Sequence, residues 1–300
     1  MIESKIDLSI VIVSYNTAKI TQNCLESIKQ SLANSKISYE IIVVDNASSD
    51  GSAQQIINFK FQISNFKLIT NKQNLGFAKA NNQAVKEAHG QHILFLNSDI
   101  VVLNSAIEKL LKFYLQNEKI IHFLGGKLLN KDLTPQASCG PNYSLPMVFS
   151  HLFLRGDYWG LTRYSPDQVK EVDWVSGACI LTKNKYFKKI NGFDEKIFMY
   201  MDEIDLLYRA KKQNYQVFFY PEAKFIHFGS ASSGGRTYPI LQVFKGLLYF
   251  YKKHYSVQAN FLLKIMLKLK SLVAYLIGRM TRNQYLTKTY EEAYRLVEMA

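Results

Sequence analysis

A chain of 300 residues, 48% hydrophobic and 20% charged, carries enough apolar material for one large core and is not of disordered composition. Its three cysteines, Cys24, Cys139 and Cys179, are widely spaced and form no CxxC pair, which argues against a disulfide framework or a zinc site and fits a reducing compartment. The net charge of +13 points to an anionic partner, and its distribution, taken up below, decides which.

The N-terminus "MIESKIDLSIVIVSYN" carries an acid and only a short apolar stretch, so no signal peptide is expected and a cytoplasmic location is. "LSIVIVSYN" is a buried-type strand, and "AKITQNCLESIKQSL" has helical spacing with Leu25, Ile28 and Leu32 on one face. "YEIIVVDNASSDGS" is a second strand ending in a polar turn, followed by the helical "AQQIINF". "FKLITNKQN" is a third strand, "GFAKANNQAVKEAHG" a helix closed by Gly90, and "HILFLNSD" a fourth strand. Near-continuous Ile/Val/Leu strands separated by helices predict an α/β fold with a mostly parallel sheet covered on both faces. Ligands of such sheets bind beyond the carboxyl ends of the strands, and "SYN", "DNASSDG", "NKQNLG" and "NSD" all fall there. Residues 120–230 are less regular. From Pro239 the composition turns helical, basic and apolar, which divides the chain into a catalytic-type domain, 1–238, and a C-terminal helical tail, 239–300.

Several residues could carry chemistry. Asp99, after the fourth strand, is a hard oxygen ligand suited to Mg2+ or Mn2+, and "NSD" is equally good turn chemistry. Asp45, after the second strand, can accept from a ribose hydroxyl or a pyrimidine N–H, although no GxGxxG follows the first strand. Gly76 opens the third helix and lets a ligand approach the backbone, with free amides favouring phosphate; an ordinary strand–helix turn would look the same. Asp202, Glu203 and Asp205 cluster at a helix start, where one acid suffices for a cap and neighbouring carboxylates raise one another's pKa toward that of a general base. His227 follows an apolar run; it is either packed or completes a metal site, and the Gly/Ser-rich loop behind it delivers Arg236 to a diphosphate.

In order, "SIVIVSYN", "VVDNASSDGS", "NLGFAKANNQA", "FLNSDI", "WVSGACILTKN", "INGFDEKIFMYMDEIDLLYRA" and "PEAKFIHFGSAS" resemble the inverting family 2 glycosyltransferases of the GT-A fold, and among them rhamnosyltransferase-like enzymes of bacterial surface polysaccharides. The resemblance runs over residues 8–233. It implies sugar transfer from a dTDP- or UDP-linked donor to a hydroxyl of a glycan or lipid-linked acceptor, by one in-line displacement at the anomeric carbon. It also implies Tyr15, Asn16, Asp45, Gly76, Asn81, Ser98, Asp99 and Arg236 around the donor, and Asp99 with His227 on a divalent metal. Glu203, with Asp202 beside it, would be the base, and Trp174 and Asp205 would face the acceptor; "YWGLTRY" offers further rings for stacking on sugar. Two departures stand out: Asn97 is neutral where the metal motif often begins with an acid, and the acidic pair reads Asp-Glu rather than Glu-Asp.

A nucleotidyltransferase would also use a parallel sheet and a metal acid but has no use for a carboxylate base at 202–205. A degenerate, non-catalytic binding module would have no reason to keep Asp45, Asp99, Glu203 and His227 together. Residues 241–300 hold ten Lys/Arg against three Glu, an excess of seven. These are interleaved with "GLLYFY", "NFLL" and "SLVAYLIG", which suits an anionic membrane surface rather than nucleic acid, while a plain helical cap would read alike. No apolar run approaches the ~20 residues needed to span a bilayer, so contact at the inner face of the membrane is expected to be peripheral.

Overall fold

A computed structural model describes residues 6–60, 63, 65–229 and 237–300. The four expected strands form: β1 (Leu8–Ser14), β2 (Tyr39–Asp45), β3 (Phe66–Thr70) and β4 (His92–Asn97), with α1 (Ala18–Leu32), α2 (Ser52–Lys60) and α3 (Phe77–Lys86) between them. β1 pairs in parallel with β2 and β4, and β2 with β3. Alternate residues of β1 enter different cores. Leu8, Ile10 and Ile12 join Leu25 and Ile28 of α1, while Val11 joins Ala78, Ala80 and Ala84 of α3. A strand buried on both faces is apolar nearly throughout, which is why its pattern does not alternate; the exception inside β1, Ser9, donates to Glu40 at 2.6 Å.

The chain continues through β5 (Ile100–Val102), α4 (Ala106–Gln116), β6 (Ile121–Leu129), β7 (Cys139–Gly140), α5 (Leu145–Phe153), β8 (Lys170–Val172) and β9 (Trp174–Val175). Then come β10 (Cys179–Lys183), α6 (Asn184–Lys189), α7 (Asp202–Lys212) and β11 (Gln216–His227). The main sheet runs β3-β2-β1-β4-β10-β6-β11-β5, with β8 also on β11, while β7 and β9 form a separate ribbon. The N-terminal strands are all parallel, and β6 with β11 is parallel too. β10 lies between the two blocks, antiparallel to both β4 and β6.

Three helices close the chain: α8 (Thr237–His254), α9 (Val257–Met280) and α10 (Gln284–Met299). Ser256 and Asn283 cap α9 and α10 by accepting from the amides of Ala259 and Leu286. Beyond residue 238, Leu247, Phe250 and Tyr251 of α8 are buried in the same core cluster as Ile204 and Leu207 of α7, and the Phe250 ring lies edge-on to Tyr208 with centres 5.1 Å apart.

Candidate active site

Ser14, Asp45 and Thr70 are neighbours in register, and Asn97 lies opposite Val13, so the strands end nearly level. Loops gather on this edge. Asp45 is 2% exposed; one carboxylate oxygen accepts from the Ser48 amide at 3.1 Å, and its Oδ1 is buried with no partner. A buried acceptor without a donor is costly unless a ligand N–H or O–H fills the place, so Asp45 suits a base or ribose contact. Asn16 sits at φ 51°, its amide donating to Ser48 Oγ (2.9 Å) and its Oδ1 accepting from the Ser49 amide (2.8 Å). That side chain therefore lashes the first two loops together. Tyr15 lies part-buried beside it, and Ser98 Oγ is 3.3 Å from Thr17 Oγ1 in a cluster of hydroxyls with Ser14 and Thr21.

Two expected donor contacts are occupied by the protein itself. Gly76 has φ +81°, and a Cβ there would stand 2.5 Å from the carbonyl oxygen of Phe198. That carbonyl accepts from the Phe77 amide at 2.8 Å, and Asn74 Oδ1 takes the Gly76 amide at 2.9 Å. The glycine is thus required by a backbone crossing, and the amides expected to be free for phosphate at this helix start are already satisfied. Asn81 is 1% exposed and donates to the Phe77 carbonyl at 2.9 Å, which removes it from the donor surface. Arg236 lies outside the described residues. Asn46 was not singled out by sequence reasoning, yet its Oδ1 accepts from Asn71 and from the Leu75 amide and holds the 71–76 loop.

Antiparallel pairing of β5 with β11 sets His227 opposite Ile100 and brings it to Asp99. His227 Nε2 lies 3.3 Å from Asp99 Oδ1 and 3.3 Å from Asn97 Nδ2. On the far side of the ring, Nδ1 is 2.6 Å from Gln136 Oε1. An amide oxygen only accepts, so Nδ1 donates to Gln136, and in that tautomer Nε2 accepts from Asn97 Nδ2. Gln136 is itself held, donating to the His227 carbonyl (3.3 Å) and to Asn130 Oδ1 (3.1 Å). Among the described residues no cluster of three or more His, Cys, Asp or Glu could hold a metal. One carboxylate and one imidazole nevertheless fit a divalent ion that takes its other ligands from phosphate oxygens and water, as Mg2+ commonly does.

Tyr200 and Met201 both take left-handed backbone, φ 62° and 65°, immediately before α7. This turn aims the first acids of the helix inward. Asp202 is 3% exposed, and burial, then the charges of Glu203 and Asp205, push its carboxyl well above the usual range. Glu203 is only part-buried; burial raises its carboxyl as well, opposed by its own backbone amide, the Arg163 guanidinium and the Gly177 amide. Of the two, Glu203 is the less buried residue. Burial, then the charges of Tyr238, Glu203, Asp202 and Asp99, push the Tyr200 hydroxyl up.

The two expected acceptor contacts belong to the interior. Asp205 is fully buried, taking Arg209 Nε on one oxygen and Lys253 Nζ and His254 Nε2 on the other, each at 2.7 Å. Two cations and a histidine occupy it, and no room is left for a sugar hydroxyl. Trp174 is 3% exposed, with its indole N–H donating to the Pro141 carbonyl at 2.9 Å, and it edges a cavity of about 250 Å3 with Asp173, Tyr208 and Lys211 rather than the strand-end crevice.

The sheet edge thus carries an Asp–His pair, and α7 opens on a raised acidic pair. The chain belongs to glycosyl transferase family 2, whose sequence model matches residues 9–168, more than half of it. It is similar to an N-acetylglucosaminyl-diphospho-decaprenol L-rhamnosyltransferase of Mycobacterium tuberculosis, 26% identical over 246 residues that cover 76% of this chain and 78% of the relative. A low-salt glycan biosynthesis hexosyltransferase of Haloferax volcanii is 26% identical over 216 residues, 70% of this chain and 64% of that one. A mannosyltransferase from Pyrobaculum calidifontis in complex with GDP-Man and Mn2+ shares the fold, with a TM-score of 0.58 at 14% identity over 99% of this chain and 76% of the other. The GT-A architecture expected from the motifs is the one observed.

Proposed function

We propose that the chain transfers a hexosyl or deoxyhexosyl group, with inversion, from a nucleoside diphosphate sugar to a hydroxyl of a glycan or lipid-linked acceptor in cell-surface polysaccharide synthesis. The observation that carries this reading is the Asp99–His227 pair, 3.3 Å apart, on the sheet edge that also holds Asp45 with its unpartnered oxygen. Asp45, with one oxygen unpartnered, would read the base or ribose, and a dTDP- or UDP-linked donor supplies the N–H or hydroxyl it lacks. Asp99 and His227 would hold Mg2+ or Mn2+, which supplies positive charge against the leaving diphosphate.

Glu203 would take the proton from the acceptor hydroxyl as that oxygen closes on the anomeric carbon. A carboxyl raised by burial is a better proton acceptor than a solvated one, and burial also keeps water from competing with the acceptor. Asp202, deeper still, is raised by burial and then by the charge of Glu203 beside it. One displacement needs no covalent intermediate and inverts the anomeric centre. The relatives named for a diphospho-decaprenol acceptor and for glycan biosynthesis support the acceptor class. Thermal shift against a panel of nucleotide sugars with Mn2+ tests the reading: stabilisation by one nucleoside diphosphate family, lost with EDTA, is expected, and no shift with any donor would refute it.

A further inference from the structure

The strongest unexplained feature of the surface is apolar. Phe261, Ile265, Leu269, Leu272 and Leu276 recur along α9 at helical spacing, each 45% or more exposed, and Met280 is 85% exposed. The opposite face, with Leu263, Leu267, Ser271, Ala274 and Gly278, is buried against the protein. α9 thus presents a greasy stripe to solvent over roughly 36 Å of helix.

A second segment, distant in sequence, extends it. α5 packs on α9: Val148 and Leu152 share a core with Leu263 and Leu267, and Lys270 Nζ donates to the Leu152 carbonyl at 2.8 Å. At the end of α5 the chain forms a tight loop, with the Gly156 amide on the Ser150 carbonyl (2.9 Å) and the Leu161 amide on the Gly156 carbonyl (2.8 Å). This loop holds out Tyr158 (75% exposed) and Trp159 (68% exposed), packed edge to face with ring centres 5.0 Å apart. Phe149, Leu154 and Leu161 of the same segment are also exposed, at 45%, 54% and 54%.

Charge selects the occupant. α9 carries Lys264, Lys268, Lys270 and Arg279 and no acidic residue. Lys268 is shared with Glu298 of α10 at 3.6 Å, and Arg279, like Arg282 just beyond, is exposed. A two-fold contact between two copies of α9 would set these cations against each other, whereas an anionic headgroup layer complements them. Amphipathic tyrosine and tryptophan at the margin of an apolar stripe suit a bilayer interface, where one end of the ring is dry and the other wet. Among the described residues no helix is long and apolar enough to cross a membrane.

We propose that α9 and the 154–161 loop form one composite surface that docks on an anionic lipid bilayer, with Tyr158 and Trp159 as interfacial anchors. This deepens the proposed function and rests on its lipid-linked acceptor for purpose, while the binding itself needs neither donor nor acceptor. The same loop leads into Arg163, whose guanidinium acts on Glu203, so docking would hold the acceptor-side wall of the site at the lipid surface.

The test uses the full chain with acceptor-free vesicles of phosphatidylcholine, with or without phosphatidylglycerol. Sedimentation with the anionic vesicles only, weakening as salt rises from about 0.1 to 0.5 M, is expected. Leu269→Asp with Leu276→Asp should abolish it, and Tyr158→Ala with Trp159→Ala should lower partitioning about tenfold. Vesicles should shift tryptophan emission to the blue, and Trp159→Phe should remove the shift because Trp174 is buried. Absence of sedimentation by the intact chain, or sedimentation indifferent to both double variants, would overturn the proposal. So would a stable dimer that Leu269→Asp converts to monomer. Nucleoside diphosphate binding with Mn2+, measured on the same preparations, confirms that the variants are folded; its failure in the unaltered chain counts against the enzymatic reading and leaves the vesicle result standing.

Discussion

Replacing Asp205 by Asn separates a structural carboxylate from an acceptor contact. The carboxylate is fully buried, and Arg209, Lys253 and His254 reach it at 2.7 Å, so the charge ties α7, which bears Glu203, to α8. Removing one partner of a buried ion pair typically costs about 3–5 kcal/mol. Asn keeps the shape and one acceptor, and Lys253, 27% exposed, can turn to water, so about 3 kcal/mol is expected. With about 2.1 cal/mol/K per residue over 300 residues, the unfolding entropy is about 0.6 kcal/mol/K and the melting temperature should fall by about 5 °C. Against the effect of burial, the hydrogen bond from His254 and then Arg209 and Lys253 hold the Asp205 carboxyl far below its usual range. A depressed carboxyl stabilises the fold above its unfolded pKa and loses that contribution as pH falls through the folded one. The 5 °C gap should therefore be full at pH 7 and shrink as pH falls below about 4. Scanning calorimetry at both pH values is the assay. An unchanged melting temperature combined with a raised acceptor KM would show that Asp205 faces the acceptor after all and that the network carries no stability.

Glu203→Gln should cost on the order of 10²–10⁴ in transfer rate with donor affinity near normal; a larger loss from Asp202→Asn would exchange the roles of the pair. Because burial raises both carboxyls, the transfer rate should climb with pH at values above those of a solvated carboxylate, and Glu203→Gln should flatten that limb in a pH–rate profile. Asp99→Ala should abolish turnover and weaken nucleoside diphosphate binding, and full activity in EDTA would refute the metal. Gln136→Leu removes the acceptor that fixes the His227 tautomer, and Mn2+ affinity should fall about 10–100-fold by calorimetric titration; unchanged affinity would mean the ring needs no such support.

The parallel block and the acids at its edge could be read because both are local: β1 and β2 are continuous apolar runs, and Asp45 and Asp99 follow strands directly. β10 could not. "CILTK" is five residues long, and nothing in it announces antiparallel pairing with strands more than fifty residues away. Gln136 was missed for the same reason, since only the folded chain brings it to His227, 91 residues later. Trp174 and Asp205 were misread because an aromatic or an acid near a site looks alike from sequence whether it faces the crevice or the core.

The placement of β10 has a bearing on how the protein is made. On the ribosome, β1 to β4 can close their parallel pairings once residue 97 has emerged, yet the outer edge of β4 belongs to a strand that begins at Cys179. At about 5–20 residues per second, that edge waits on the order of ten seconds, its amides and carbonyls unpaired beside bare Ile, Leu and Phe side chains. His227 comes later still. A chain stalled anywhere in that interval is both sticky and chemically inert, so the burden of protecting it falls on whatever chaperones meet it as it leaves the tunnel.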